Sequence, residues 1–514
     1  MNGADSLVRT LLVGGVDTCF TNPGTSEMHM VAALDREPRM RCLLTLFEGV
    51  ATGAADGYAR MALKPACTLL HLGPGLANGL ANLHNASRAH VPIVNVVGEH
   101  ATFHLRYDAP LTSDIEGIAK PVSNWVKTSN VSSEVGRDTA DAIAAARTAP
   151  GQIATLIVAA DASWADGGIP CEAMKVASAP APSTEVVLRT AKLLRSGLPT
   201  ALLLAGDALY GVGLDYASMI AGTTGAKLLA PYPFTRLERG CGRAVVTRIP
   251  YVFEQAVELL KQFQQLILVG ARIPVSYFAH PAKRASPVPD DCQVHTLAGE
   301  VEGGAAALGA LAAELGADRK MRAIAAADRP SLPIGAINAT SIGNALGALL
   351  PDNAILIEES MTSGRNILTA TAGCSPHDVL ANTGGSIGIA MPMAVGASTA
   401  CPERRVICLS ADGSGMYTHQ ALWSMARAGL RVTTVIFANR EYGVLKREFG
   451  SLGLGELGHR TKEMFEIGRP DIDWVALAKG MGVPGSRPRS MEEFARDFRG
   501  ATESDGPALI QVDL

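Results

Sequence analysis

Short, continuously apolar runs alternate along this chain with longer stretches of helical period. The sharpest instance spans residues 406–441. An apolar run, Val406–Ser410, ends at Ala411-Asp412-Gly413-Ser414; the stretch Tyr417–Ala428 is amphipathic; a second run, Val432–Ala438, ends at Asn439-Arg440-Glu441. Such a pattern predicts strand, loop, helix, strand, loop. Both loops then lie at the carboxyl ends of parallel strands, where open α/β sheets bind ligands.

The same alternation runs from the N-terminus. It predicts a helix over Ala4–Gly14, a strand over Asp17–Phe20 and a loop over Thr21–Glu27. An apolar stretch, Met40–Phe47, ends at Glu48, where a Gly/Ala-rich helix begins. Glycines 49, 53 and 57 share one face of that helix. Each costs about 1 kcal/mol relative to Ala. The face therefore predicts either another backbone close by or tight packing on the chain's own sheet. A strand over Ala66–His71 turns at Leu72–Gly75 into a helix through Arg88, and a strand over Pro92–Gly98 follows. Residues 102–128 read as irregular, then come helix Asp138–Arg147 and strand Ile153–Ala159.

Residues 161–184 and 317–333 lack periodicity and read as linkers. Between them lie helix Glu185–Arg195, strand Pro199–Ala205, helix Val212–Thr223 and strand Gln265–Gly270; after them come helix Asn338–Leu350, strand Ala354–Glu358 and, at the end, strand Ala508–Val512. The fold class is α/β, with three domains at 1–165, 184–320 and 334–514, each a mostly parallel sheet flanked by helices. The first and third read as one plan used twice.

Composition narrows the function. Of 514 residues, 47% are hydrophobic and 18% charged, which favours large cores over disorder. The net charge of −4 and the lack of a basic cluster exclude a nucleic-acid surface. Nine scattered cysteines without CxxC spacing argue against zinc and a disulfide scaffold. No apolar stretch reaches membrane-spanning length and no leader is visible, so the expectation is a soluble cytoplasmic protein without a membrane partner.

Asp412 offers a carboxylate, Asn439 an amide oxygen, and the small residues after Asp412 open backbone N–H groups to an anion. Hard oxygens beside a phosphate-binding turn suit Mg²⁺. A lone Asp-Gly-Ser is an ordinary turn. Paired with Asn439, with 25 residues between it and Gly413, it resembles the metal motif of thiamine-diphosphate (ThDP) enzymes, with Ala411 in place of the motif's first Gly. The resemblance covers essentially the whole chain: pyrimidine-binding, middle and diphosphate-binding domains. It implies Asp412, Asn439 and the Glu441 carbonyl as Mg²⁺ ligands, and Gly413, Ser414, Thr362 and Ser363 on the diphosphate. It also implies that Gly384–Pro392, with Gly385, presents the pyrimidine, and that Ile387 wedges the cofactor, although Ile387 also fits a plain core role.

ThDP catalysis needs one carboxyl group in an apolar setting to drive the aminopyrimidine that generates the C2 carbanion. Glu48, at the end of an apolar run, resembles that catalytic Glu; otherwise it complements a helix dipole. Thr25, in Asn22–Glu27, lies where benzoylformate decarboxylase has a substrate-facing Ser; Thr25 or Ser26 could equally cap the next helix. His71 matches an active-site His of that enzyme and could handle protons, or be a bonded core His. His280 lies near a second. Against acetolactate synthase, Ala109–Thr112 lacks the Phe-Gln pair; towards it, Gly73-Pro74-Gly75 and Gly117–Pro121 are alike. The resemblance implies decarboxylation of a small-molecule 2-oxo acid through an enamine. Alternatives are acetolactate-type carboligation and a ThDP-binding subunit without turnover. It also implies a site shared between two subunits of a dimer or homotetramer. Neither FAD nor a nicotinamide cofactor has a sequence signal: Gly206–Gly213 carries no G-x-G-x-x-G.

Overall fold

The computed structural model describes residues 1–172 and 174–514. Three sheets organise them. The first holds β1 (Thr18–Asn22), β2 (Arg41–Leu44), β3 (Ala66–Leu70), β4 (Ile93–Glu99), β5 (Trp125–Ser129) and β6 (Ile153–Ala159), in the order β2-β1-β3-β4-β6-β5 and wholly parallel. The middle stretch supplies β7 (Thr200–Leu204), β8 (Lys227–Ala230), β9 (Arg236–Arg239), β10 (Val246–Arg248), β11 (Gln265–Val269) and β12 (Gln293–Ala298). Five of these form a parallel sheet, β10-β8-β7-β11-β12. The last region adds β13 (Ile355–Glu359), β14 (His377–Ala381), β15 (Val406–Ala411), β16 (Val432–Ala438), β17 (Gly485–Ser486) and β18 (Ala508–Asp513).

The third sheet reads β14-β13-β15-β16-β18-β17 from its β14 side, the strand order of the first sheet repeated. One plan is thus used twice, as the hydrophobic pattern indicates. The exception is β9, which leaves the middle stretch and pairs antiparallel with β14 at the edge of the third sheet. Four residues with two buried positions carry no periodicity that could have announced it. Residues 102–128 also correct an expectation. They contain helix Ile115–Ala119 and edge strand β5, which is half-buried along most of its length and so shows neither an apolar run nor clean alternation. The helix expected over Tyr417–Ala428 is confined to Ala421–Arg427, because Asp412–Gly415 takes a separate helical turn first.

Helices Glu48–Ala62 and Ala390–Ala400 occupy corresponding places, each after the second strand of its sheet, and pack on each other. A Cβ on Gly53 would lie 2.6 Å from Pro392 Cβ, one on Gly57 would overlap the Met393 carbonyl, and one on Gly396 the Ala54 carbonyl. The glycine face is therefore explained by a second backbone, that of the C-terminal unit, and not by the helix's own sheet. One continuous core runs through both helices and both sheets, from Phe20 and Val50 to Leu380 and Met391. Buried Arg60 seals the contact, paired with Asp56 and donating to the Ala381 carbonyl at 2.8 Å.

Candidate active site

At the carboxyl end of β15, Asp412 is buried (3% exposed); its Oδ1 accepts from Gly413 N–H (2.9 Å) and its Oδ2 from Arg440 N–H (2.8 Å). Burial raises its pKa, and these backbone donors counter it. Next door, at the end of β16, Asn439 Oδ1 accepts from Glu441 N–H at 3.3 Å and its amide reaches Thr362 Oγ1 at 3.5 Å. A Cβ on Gly443 would touch Thr362, Glu441 and Asn439 at once, so these residues converge. The Glu441 side chain itself is turned to Lys446, which leaves its backbone carbonyl as the group available to a cation. Ala411 has φ −71°, ordinary extended backbone, so the side chain replacing the motif's Gly causes no strain.

This donor set fits a magnesium diphosphate. It offers one buried carboxylate without a cationic side-chain partner, one amide and one carbonyl. Among the described residues no cluster of three His, Cys, Asp or Glu could hold a metal alone, as expected where substrate or cofactor phosphates complete the shell. Ser363 and Ser414 are buried beside the turn and Thr362 is half-buried. Gly385 (φ 81°) is exposed, with the Tyr277 ring 3.5 Å from where its Cβ would be, and Ile387 is half-buried.

In the first unit, Glu48 opens its helix and is 7% exposed; Asn78 Nδ2 donates to its Oε2 at 3.0 Å. His71 caps helix Leu72–Arg88. A Cβ on Gly75 would lie 3.3 Å from His71 Cβ and 3.4 Å from Glu48 Oε1, so the two side chains are neighbours. Behind His71 stands Glu27, fully buried, its Oε2 2.8 Å from His71 Nδ1 and also accepting from Gly24 N–H at 2.8 Å. A carboxylate only accepts, so it holds the proton on Nδ1 and leaves Nε2 with the free lone pair.

Glu27 escaped the sequence reading, since its partners, Gly24 N–H and the His71 ring, are set by the turn and by a second strand. Neither Thr25 nor Ser26 caps the next helix: both lie in the turn Thr25–Glu27, and helix Met28–Asp35 starts directly after Glu27. Thr25 is exposed, and the hydroxyl reaching His71 is that of Ser26, 3.3 Å away. His280 is engaged at both ring nitrogens, accepting from Ala282 N–H (3.1 Å) and donating to the Ser451 carbonyl (2.9 Å). Left-handed backbone marks the same places: Leu72 (φ 46°), Met361 (φ 53°) and Arg440 (φ 58°) directly follow or precede His71, Thr362 and Asn439. Four other non-glycine residues, Leu63, His90, Asp108 and Asn353, share this backbone conformation elsewhere in the chain.

Comparison with known proteins gives this geometry a family. The N-terminal and C-terminal TPP binding domains of thiamine pyrophosphate enzymes match residues 1–116 and 368–512. A Mycobacterium tuberculosis protein, provisionally named acetolactate synthase large subunit IlvX, is 51% identical over all of this chain and 99% of its own length. The chain belongs to the thiamine-pyrophosphate enzyme family. Benzoylformate decarboxylase of Pseudomonas aeruginosa is 27% identical over 97% of the chain and 96% of its own. A Rhodococcus jostii ThDP-dependent 4-hydroxybenzoylformate decarboxylase shares the fold, with TM-score 0.88 at 23% identity, covering 100% of this chain and 99% of its own. The protein is thus a ThDP-dependent enzyme of the decarboxylase and acetolactate synthase group. No helix among the described residues is long and apolar enough to cross a membrane.

Proposed function

We propose that this enzyme decarboxylates a 2-oxo acid and releases the aldehyde, using ThDP and Mg²⁺. The observation that carries the reading is the Glu27–His71 pair beside Glu48. A histidine with a fixed tautomer is suited to donating and accepting a proton at the substrate carbon, and acetolactate formation has no need of a proton there. ThDP supplies the electron sink for breaking the bond between the carbonyl carbon and the carboxylate. Asp412, Asn439 and the Glu441 carbonyl hold the metal. Thr362, Ser363, Gly413 and Ser414 meet the diphosphate, and Gly385 and Ile387 meet the pyrimidine. The Glu48 carboxyl engages the pyrimidine nitrogen of a partner subunit's cofactor, so the enzyme works as a dimer or a dimer of dimers. Thr25 lines the substrate side, and His280 joins only after releasing Ser451.

No flavin is part of this reading. Asp207, beyond β7, lies against the first N–H groups of helix Gly304–Leu315, where a dinucleotide phosphate would otherwise dock. We divide the chain into domains 1–165, 184–320 and 334–514, with β9 lent by the middle one.

Carboligation of the acetolactate type is the second reading, favoured by the name of the 51% identical relative. Release of CO₂ from a panel of 2-oxo acids, with ThDP and Mg²⁺ added or omitted, decides. Cofactor-dependent CO₂ with equimolar aldehyde supports decarboxylation. Acetolactate from pyruvate overturns it for carboligation. ThDP binding without turnover of any acid would mean a substrate of another class, such as a 2-hydroxyacyl thioester, or a non-catalytic subunit.

A further inference from the structure

Glu359 ends β13 and is 2% exposed, yet no cationic side chain touches it. Burying an uncompensated carboxylate is costly, so its partners must earn its retention. They are four N–H groups from a single segment. Oε1 accepts from Gly388 N–H (3.1 Å), Ile389 N–H (3.4 Å) and Asn382 Nδ2 (3.1 Å), and Oε2 accepts from Ala390 N–H (3.0 Å). Three of these are backbone groups at the start of helix Ala390–Ala400, which have no partner within the helix.

Asn382 completes the clasp. Its amide also donates to the Ser386 carbonyl at 2.7 Å, and its Oδ1 accepts from Gly385 N–H at 2.9 Å. From the opposite side Asn85 bonds both the carbonyl and the N–H of Ser386. Gly385 and Gly388 have φ of 81° and 94°, so the backbone of 384–389 has little intrinsic preference for this shape. The shape is imposed by side chains, and the residue holding its far end is Glu359.

We propose that Glu359 is a positioning residue that pre-forms the 384–389 segment as the seat of the cofactor's pyrimidine. This rests on the reading of that segment given above. The Gln side chain has the same size but turns one oxygen into a donor, which must face Ala390 N–H or the three donors around Oε1. Either way two donors oppose each other and the segment has to shift. The diphosphate end, built on Asp412 and Asn439, is untouched.

Calorimetric titration of the full-length protein at about pH 8, where Glu359 is ionised, separates the two ends of the cofactor. Mg²⁺–ThDP reports both ends, and Mg²⁺–pyrophosphate reports the diphosphate end alone. E359Q should weaken ThDP at least about tenfold and change pyrophosphate less than about threefold. Equal weakening of both probes, as general structural damage would give, overturns the proposal. So does unchanged ThDP affinity. N382A, which removes the amide's bonds to Glu359, the Ser386 carbonyl and Gly385 N–H and leaves the carboxylate, should weaken ThDP in the same selective way. If E359Q does not fold, N382A decides alone, and unaltered ThDP binding there overturns the proposal. Failure of the wild-type protein to bind ThDP would overturn the cofactor reading itself, which is a different result from a wild type that binds and an E359Q that binds equally well.

Discussion

Glu48, Glu27 and Glu359 are three buried carboxyl groups with three different partners: an amide, an imidazole and a set of backbone donors. Glu48→Gln keeps volume and its bond to Asn78 while losing the acid. We expect turnover to fall by about 10²–10⁴-fold with an unchanged circular dichroism spectrum and melting temperature. Glu27→Gln can present an N–H to His71 Nδ1 and so favour the wrong tautomer. It should lower kcat by about 10–100-fold while KM moves little, and a KM effect alone would count against the pairing.

Glu359 has a pH signature in stability. Burial raises its pKa from 4.5 to about 7. Between those values the folded protein holds a proton that the unfolded chain has released, so stability falls as pH rises through this window, by about 1.4 kcal/mol per unit. Buried His377, lowered from 6.5 to about 4, slopes the other way, since the unfolded chain takes up the proton. The two nearly cancel in the wild type, and only a difference isolates Glu359. In urea unfolding, the stability of E359Q relative to wild type should rise by about 2 kcal/mol from pH 5 to pH 6.5.

At the scale of elements, the two helices at the centre set the geometry. Glu48 points where it does because Glu48–Ala62 is held against Ala390–Ala400 at backbone distance, which only small residues permit. A Gly57→Val substitution forces a side chain into the Met393 carbonyl, and overpacking of this kind costs about 1–3 kcal/mol or more. The urea midpoint should drop accordingly, and kcat should drop with it as Glu48 moves. The strands that the sequence disclosed, such as β3, β4, β15 and β16, are buried on both faces, and so are written mostly in apolar residues. Among those it did not disclose, β5 and β9 are edge strands, where one side meets solvent and short length removes any period, while β8 and β14 lie inside their sheets but are only four and five residues long.

For the whole molecule, the reading of a shared site has a direct consequence. Glu48→Gln and Asp412→Ala would each be inactive alone. Mixed and re-equilibrated, they would form heterodimers with one doubly defective and one intact site, restoring about a quarter of wild-type activity under random pairing. No recovery would mean that Glu48 serves its own chain. Removing Mg²⁺ with a chelator should abolish ThDP binding, and ThDP with Mg²⁺ at a hundredfold excess over Kd should add about 2.7 kcal/mol of stability, read as a rise in melting temperature.

Much of this site was determined locally. The turn proposed for the metal, the carboxylate proposed for catalysis at a helix start and the histidine at a strand end each depend on neighbours in sequence, because strand ends and helix starts are themselves local. Asp412, Asn439, Glu48 and His71 were therefore legible before any fold was known. The tertiary structure decided what depends on distant partners. Glu27 stands behind His71 across 44 residues, and Glu359 clasps a segment some 30 residues away. The same folding brought Ser26 and not Thr25 to the imidazole, turned His280 to Ser451, and placed β9 on the third sheet. Each of these is a choice among contacts that the chain can make only after its sheets have packed.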